Sequence, residues 1–351
     1  DGTVRVEGDW LCLKDCSRWR LHTDISLSWE LPVSTVTSAG RLLEMDYGVL
    51  LRRHAAIQEE MFNRFSLSLG EEGRRQQTTE ELLEDSSFGN LSSRLVVELC
   101  EAARYLRICS TGELPPTLQG IWGGTWSPPW SCDFTQNGNV PSVLEGGLCN
   151  SFPEVIEAHA DYMWSLMDDF RDKARNHYGA PGIFVPSRTS DSGKTYHYSA
   201  WHPHLFWNTG GAWASQFFYD FWQYTGDERF LEERAIPFML ASAEFLSFIL
   251  TRDEDGKFMF VPCYSPENAP PGGRQQQMTI NTTMDVGAAK QLFRNLIRLA
   301  ELGYIENPKT ELWKEIVSGL PAYAVDESGD LKEWIWPAHG NNNKHRHASH
   351  L

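Results

Sequence analysis

A mainly α-helical fold is what this sequence predicts, and three observations predict it. First, apolar residues recur at three- and four-residue steps over long stretches: Leu91 to Ile108, Phe152 to Asp172, Gly211 to Tyr224, Phe230 to Leu250, Met284 to Leu302 and Thr310 to Leu320. Second, long Pro/Gly/Asn-rich connections separate these stretches, notably at 111–150, 174–208 and 251–282. Loops of that length in a compact domain usually carry function. Third, no βαβ alternation and no glycine-rich dinucleotide loop accompanies the helices. Antiparallel helix pairs with working loops gathered at one end describe an α/α toroid, and the pattern alone also fits a plain helical array.

The elements ahead of this region differ. Residues 1–45 read as the C-terminal remnant of a β domain, because Thr3 to Glu7 alternates, Trp10 to Leu13 is short and apolar, and Ile25 to Trp29 alternates again. Residues 46–86 read as a linker helix and an exposed loop. Tyr47, Leu50, Leu51, His54, Ile57, Met61 and Phe62 fall on one helical face that ends near Gly70, and the charged, Gln-rich run from Glu71 to Asp85 follows. Residues 87–351 read as the main helical unit, expected to be incomplete at its C-terminal end, where the chain stops at Ser349-His350-Leu351.

Composition narrows the partners. The formal charge of −16 excludes the concentrated basic face that nucleic acid or an anionic membrane requires. No run of about 18 apolar residues exists to span a bilayer, and no leader is visible in the first twenty residues. Fourteen tryptophans are more than a core of this size needs. Many stand beside Gly, Pro, Asn and His, as expected of a pocket that stacks on sugar rings. The seven cysteines form no CxxC pair. Cys100 and Cys109, in apolar stretches, read as buried free thiols.

Four segments could carry chemistry. Glu267, in Ser265-Pro266-Glu267-Asn268 with Pro270 and Pro271 behind it, is a carboxylate in a stiff loop. Aromatic surroundings that exclude water would let such a group hold its proton near neutral pH. Asn137 and Asn139 follow Trp122, Trp126 and Trp130, and two carboxamides two residues apart can aim at one water or at sugar hydroxyls. An ordinary Asn-Gly turn is the simpler account of Asn137-Gly138. His345-Arg346-His347-Ala348-Ser349-His350 suits sugar contacts better than a metal, since no acidic or thiolate partner completes a motif. Asp191, His197, His202 and His204 stand among Tyr196, Tyr198, Trp201 and Trp207, as expected of pocket lining. No Gly-x-Ser-x-Gly elbow supports a serine nucleophile.

Taken in order, Leu114 to Trp122, Asp133 to Asn139, Gly210 to Trp213, Tyr224 to Asp227, Ser265 to Asn268, Met284-Asp285 and His345 to Leu351 resemble glycoside hydrolase family 95. The resemblance covers about residues 46 to 351. It implies an (α/α)6 toroid preceded by β domains and a helical linker, and inverting α-L-fucosidase or α-L-galactosidase activity on an oligosaccharide or glycoconjugate. Glu267 would match the general acid, and Asn137 and Asn139 the pair that positions the nucleophilic water. Trp122, Trp207, Trp213, Asn268, Arg346 and His347 would contact the sugar. No metal and no cofactor is required. An aspartate that polarises one of the asparagines lies downstream of the His-Arg-His motif in the family, beyond the end of this chain. The family's Asn-Ile-Asn is here Asn137-Gly138-Asn139, and its His-His-Asn-Thr-Asp segment is replaced by Tyr196 to Asn208. The same scaffold would also serve a glycan-binding protein that had lost the chemistry, or an α/α-toroid phosphorylase. The substrate class favours an extracellular or periplasmic location, and nothing in the sequence indicates an oligomeric state.

Overall fold

The computed structural model describes residues 2–19, 21, 45–70, 77–87, 89, 91–270 and 277–340. The chain divides into two compact units, Asp1–Met61 and Phe62–Leu351. In the first, β1 (Thr3–Glu7) pairs antiparallel with β2 (Trp10–Lys14), Thr3 opposite Lys14 and Glu7 opposite Trp10. Gly8, at φ +60°, takes the first position of the two-residue turn, where a left-handed backbone matches the strand twist. The third expected strand, near Ile25 to Trp29, lies outside the described residues. Helix α1 (Tyr47–Asn63) stops short of the expected Gly70. Beyond Asn63 the apolar residues Phe65, Leu67 and Leu69 alternate with serines, and an alternation cannot be kept on one helical face.

In the second unit, α2 (Thr79–Ser86) forms inside the stretch expected to be an exposed loop. The cause is a capping box: Thr78 Oγ1 accepts from the Glu81 N–H at 3.3 Å, and Glu81 Oε2 accepts from the Thr78 N–H at 2.8 Å. Helix α3 (Ser93–Ser110) starts where Ser92 caps it. The single helix expected from Phe152 to Asp172 is two, α5 (Glu154–Ser165) and α6 (Met167–Tyr178), after a short α4 (Asn139–Leu144). The break is at Leu166, where φ −98° and ψ 5° leave the helical range. Its N–H turns back to Met163, and the Ser165 hydroxyl donates to Tyr162 O at 2.7 Å.

Helix α7 (Gly210–Thr225) is central and packs on α5, on α9 (Ile236–Ile249) and on α10 (Thr283–Glu301), with α11 (Thr310–Gly319) against α10. Gly210 and Gly211 permit this. A Cβ at Gly210 would stand 2.5 Å from Val185 O, and one at Gly211 2.8 Å from Ser242 Oγ. The Phe218 and Phe238 rings stack between α7 and α9 with centroids 4.5 Å apart. A turn, α8 (Glu228–Phe230), and a π turn (Leu231–Ala235) lead into α9. Pro237 has no N–H for the carbonyl four residues back, which favours the irregular entry.

Strands in this unit are two-residue clips between loops: β3 (Phe134–Thr135) with β4 (Arg188–Thr189), and β5 (Thr251–Arg252) with β6 (Phe258–Met259). Among the described residues there is no central parallel sheet, and no helix is long and apolar enough to cross a membrane. All seven cysteines are free. Cys263 is the buried one, whereas Cys100 and Cys109 are half-buried rather than buried as expected, because the faces of α3 that carry them are only partly covered.

Candidate active site

Three of the long loops supply the site. In the first, Leu118 N–H donates to Asp133 O at 2.8 Å and closes a tryptophan-rich excursion. Within it Trp130, Ser131 and Cys132 all take left-handed backbone, φ +51°, +59° and +50°. Each such residue costs roughly 1–2 kcal/mol outside glycine, so the turn must be held by its surroundings. The Arg188 guanidinium donates to Trp130 O and pairs with Asp133. Cys132 Sγ lies 3.0 Å from Thr117 Oγ1. The strand pair β3–β4 then delivers Gln136, whose N–H donates to Ser187 O at 2.7 Å. Its side chain is buried between Thr189 Oγ1 (3.1 Å) and His159 Nε2 (3.2 Å). Asn137 and Asn139 follow directly, Asn137 buried and Asn139 half-buried at the start of α4.

The second loop brings His197 and His204. Their rings stack with centroids 4.0 Å apart, and Tyr264 meets His204 edge-on at 5.3 Å. His204 is 2% exposed, and neither of its ring nitrogens makes a hydrogen bond. Burial lowers its proton affinity below the ordinary histidine range, with nearby Glu267 opposing the shift. His197 is lowered to about 4, first by burial and then by His204 and Arg188. Both imidazoles are therefore neutral near pH 7.

The third loop carries Glu267, with its side chain 32% exposed and Oε1 3.6 Å from His204 Nε2. The Pro266–Glu267 peptide is cis. The residues behind it are buried: Cys263 exchanges backbone hydrogen bonds with Thr279, and the Ser265 hydroxyl donates to Glu333. Below the second loop, Asp285 is fully buried at the start of α10, accepting from Thr209 Oγ1 at 2.7 Å and Thr282 Oγ1 at 2.8 Å.

These loops enclose a cleft of about 390 Å³ lined by Leu118, Gln119, Trp130, Thr135, Asn137, Asn139, Arg188, His197, His204 and Glu267. Glu267 and the two asparagines thus share one cavity although 128 residues of chain (267 minus 139) separate Glu267 from Asn139. Of the residues read as lining, His197 and His204 are there, whereas Asp191 and His202 do not line it. Asn268 is buried, its N–H donating to Ser265 O at 2.8 Å. Trp207 and Trp213 are in the core instead of the cleft, edge to face at 6.3 Å. The 3₁₀ turn His204–Phe206 rolls Trp207 inward, over Gly210, where there is no Cβ to obstruct it. Trp122 is half exposed and does not line the cavity. Arg346 and His347 lie outside the described residues.

Sequence reading did not single out Gln119, Thr135 or Arg188. The Arg188–Asp133 pair spans 55 residues and leaves no local pattern. Chemically, the lining offers three neutral amides, two neutral imidazoles, a guanidinium engaged with Asp133, and one carboxyl group. Among the described lining residues, Glu267 carries the one carboxyl group.

Glu267 and the two asparagine carboxamides thus line one cavity, and comparison with known proteins gives the family. The chain belongs to glycosyl hydrolase family 95, whose catalytic-domain model matches residues 46–351. It is 30% identical over 316 residues to Alpha-L-fucosidase 2 of Arabidopsis thaliana, covering 87% of this chain and 37% of that protein. It is 28% identical over 335 residues to Probable alpha-fucosidase A of Aspergillus niger, covering 91% and 40%. The chain therefore spans less than half the length of these curated relatives. Its structure is similar to that of a putative kojibiose phosphorylase from human microbiome, with TM-score 0.52 and 14% identity over 67% of this chain and 35% of that one. At that identity the likeness shows the fold alone, the α/α toroid.

Proposed function

We propose that the protein hydrolyses terminal α-L-fucosyl, or the closely related α-L-galactosyl, residues of oligosaccharides or glycoconjugates with inversion at the anomeric carbon. The observation that carries this reading is the shared cleft of Glu267, Asn137 and Asn139. Family membership and the names of the relatives support the substrate class. Glu267 donates a proton to the departing glycosidic oxygen while the two carboxamides hold the attacking water. Inverting enzymes leave roughly 6.5–9.5 Å between acid and base for that water. Amides position a water without taking its proton, so a carboxylate elsewhere in the full-length protein completes the base.

Neutral histidines beside Glu267 suit the role. A protonated His204 at 3.6 Å would draw the proton off the carboxyl group, and burial prevents this near neutral pH. Arg346 and His347 would contact the sugar. The substrate class points to an extracellular or periplasmic setting.

Incubation of the full-length protein with α-1,2-fucosylated and α-L-galactosylated oligosaccharides, followed by proton NMR, tests the proposal. The β anomer of the free sugar should appear first and mutarotate later. First appearance of the α anomer would contradict inversion. Release of a sugar phosphate only when phosphate is present would indicate a phosphorylase, and binding without turnover a glycan-binding protein.

A further inference from the structure

His202, His204 and Glu267 each place one ligand-capable atom within 4.8 Å of the others. Two come from the second loop and one from the third, and His204 and Glu267 also line the cleft. We propose that these three residues form a site for a divalent transition metal of the zinc type, and that its occupation silences the enzyme. Two imidazoles and one carboxylate are a donor set typical of three-ligand zinc sites, with water in the fourth position.

A second observation points to a ligand there. His204 is 2% exposed, its Nδ1 makes no hydrogen bond and its Nε2 reaches Glu267 Oε1 only at 3.6 Å, beyond hydrogen-bond length, although a buried polar atom is normally satisfied. A metal ion on that ring would satisfy one of them. Ligand atoms around a tetrahedral ion at about 2.1 Å are about 3.4 Å apart. The contraction from 4.8 Å falls on His202 and Glu267, the two exposed members, while His204 stays put. The adjoining 390 Å³ cavity has room for the water.

Coordination replaces the proton on Glu267 with the metal ion and sends that proton to solvent. The carboxyl group can then no longer protonate a leaving oxygen. The inhibitory half of the proposal rests on the reading of Glu267 as the acid, and the binding half does not.

The test separates them. Titration of the full-length protein with zinc chloride, followed by calorimetry, and with cobalt(II), followed by visible absorption, reads binding without any substrate. The expected result is a site that His202→Ala and Glu267→Gln each weaken by at least 10- to 100-fold, the range seen even for loss of a supporting partner. With substrate, zinc should inhibit the wild type, whereas His202→Ala should keep its activity in the presence of the same zinc concentration. Affinity unchanged in both variants would overturn the site, placing any bound zinc elsewhere, such as on the free cysteines. Binding at this site with full activity retained would overturn the silencing.

Discussion

The two walls of the cleft are built by different physics. On the asparagine side, directional polar contacts are prominent: the β3–β4 clip, the Arg188–Asp133 pair, and the buried chain from Thr189 through Gln136 to His159. On the carboxyl side, rings pack around the imidazoles, with His197 on His204, Tyr264 edge-on to His204 and no hydrogen bond to the Tyr264 hydroxyl, while the polar contacts lie behind them, from Cys263 to Thr279 and from Ser265 to Glu333. The difference teaches what each wall is for. A group that orients a water needs fixed donors and acceptors, and a group that keeps a proton needs neutral, poorly solvated neighbours.

Four changes should break or sharpen this contrast. The largest of the four effects is expected from Asn139→Ala, which removes one proposed holder of the water and should lower kcat by on the order of 10²-fold whatever the leaving group, the usual cost of a misplaced reactant. Steady-state rates on a natural glycan and on a fluoride substrate would check it, and a loss confined to one of them would contradict the role. Gln136→Leu cuts the polar chain and leaves His159 Nε2 without its partner. A cost of about 1–3 kcal/mol in urea unfolding is expected, with a rate loss as Asn137 and Asn139 shift. A neutral result would mean that the chain does not anchor the wall.

Asp285 supports the carboxyl side from below and gives a pH signature. Burial raises its pKa to about 7, against the two threonine hydroxyls that lower it. Its contribution to stability is therefore fully present below the unfolded value near 4 and is lost as pH rises through 7. His159, lowered to about 3 by burial, works in the opposite direction. Its contribution is intact above about 6.5 and is lost as pH falls. Asp285→Asn removes the first slope. The stability difference between wild type and variant should shrink by about 1.4 kcal/mol per pH unit between pH 4 and 7. A difference independent of pH would contradict the assignment. Smallest of all, Tyr264→Phe deletes a buried hydroxyl that satisfies nothing, and should change stability by less than about 0.5 kcal/mol or raise it. A loss above about 1 kcal/mol would show that the Tyr264 hydroxyl makes a stabilising polar contact.

Much of this organisation was legible in the sequence, for reasons that differ by region. Helices α9, α10 and α11 declared themselves because each buries one apolar face, and α7 because it is apolar almost all round and central. The break at Leu166 did not, since the periodicity runs through it and only the backbone shows the interruption. Helix α2 was hidden in a charged stretch, although Thr78-x-x-Glu81 was the local signal for it. At the site, Glu267, Asn137 and Asn139 stood out through proline stiffening and the tryptophan-rich preface. Trp207 misled because an aromatic residue in a polar loop looks like pocket lining until a 3₁₀ turn buries it. Arg188 left no trace because its meaning depends on Asp133, a partner that only folding brings close.

The central claim is that Glu267 is the proton donor, and leaving-group dependence in Glu267→Gln tests it most directly. With a natural glycan, whose departing oxygen must be protonated, the variant of the full-length protein should lose on the order of 10²- to 10⁴-fold in rate. With the glycosyl fluoride, whose leaving group needs little protonation, the loss should be far smaller. Equal losses on both substrates would contradict the account and return the role of acid to another residue.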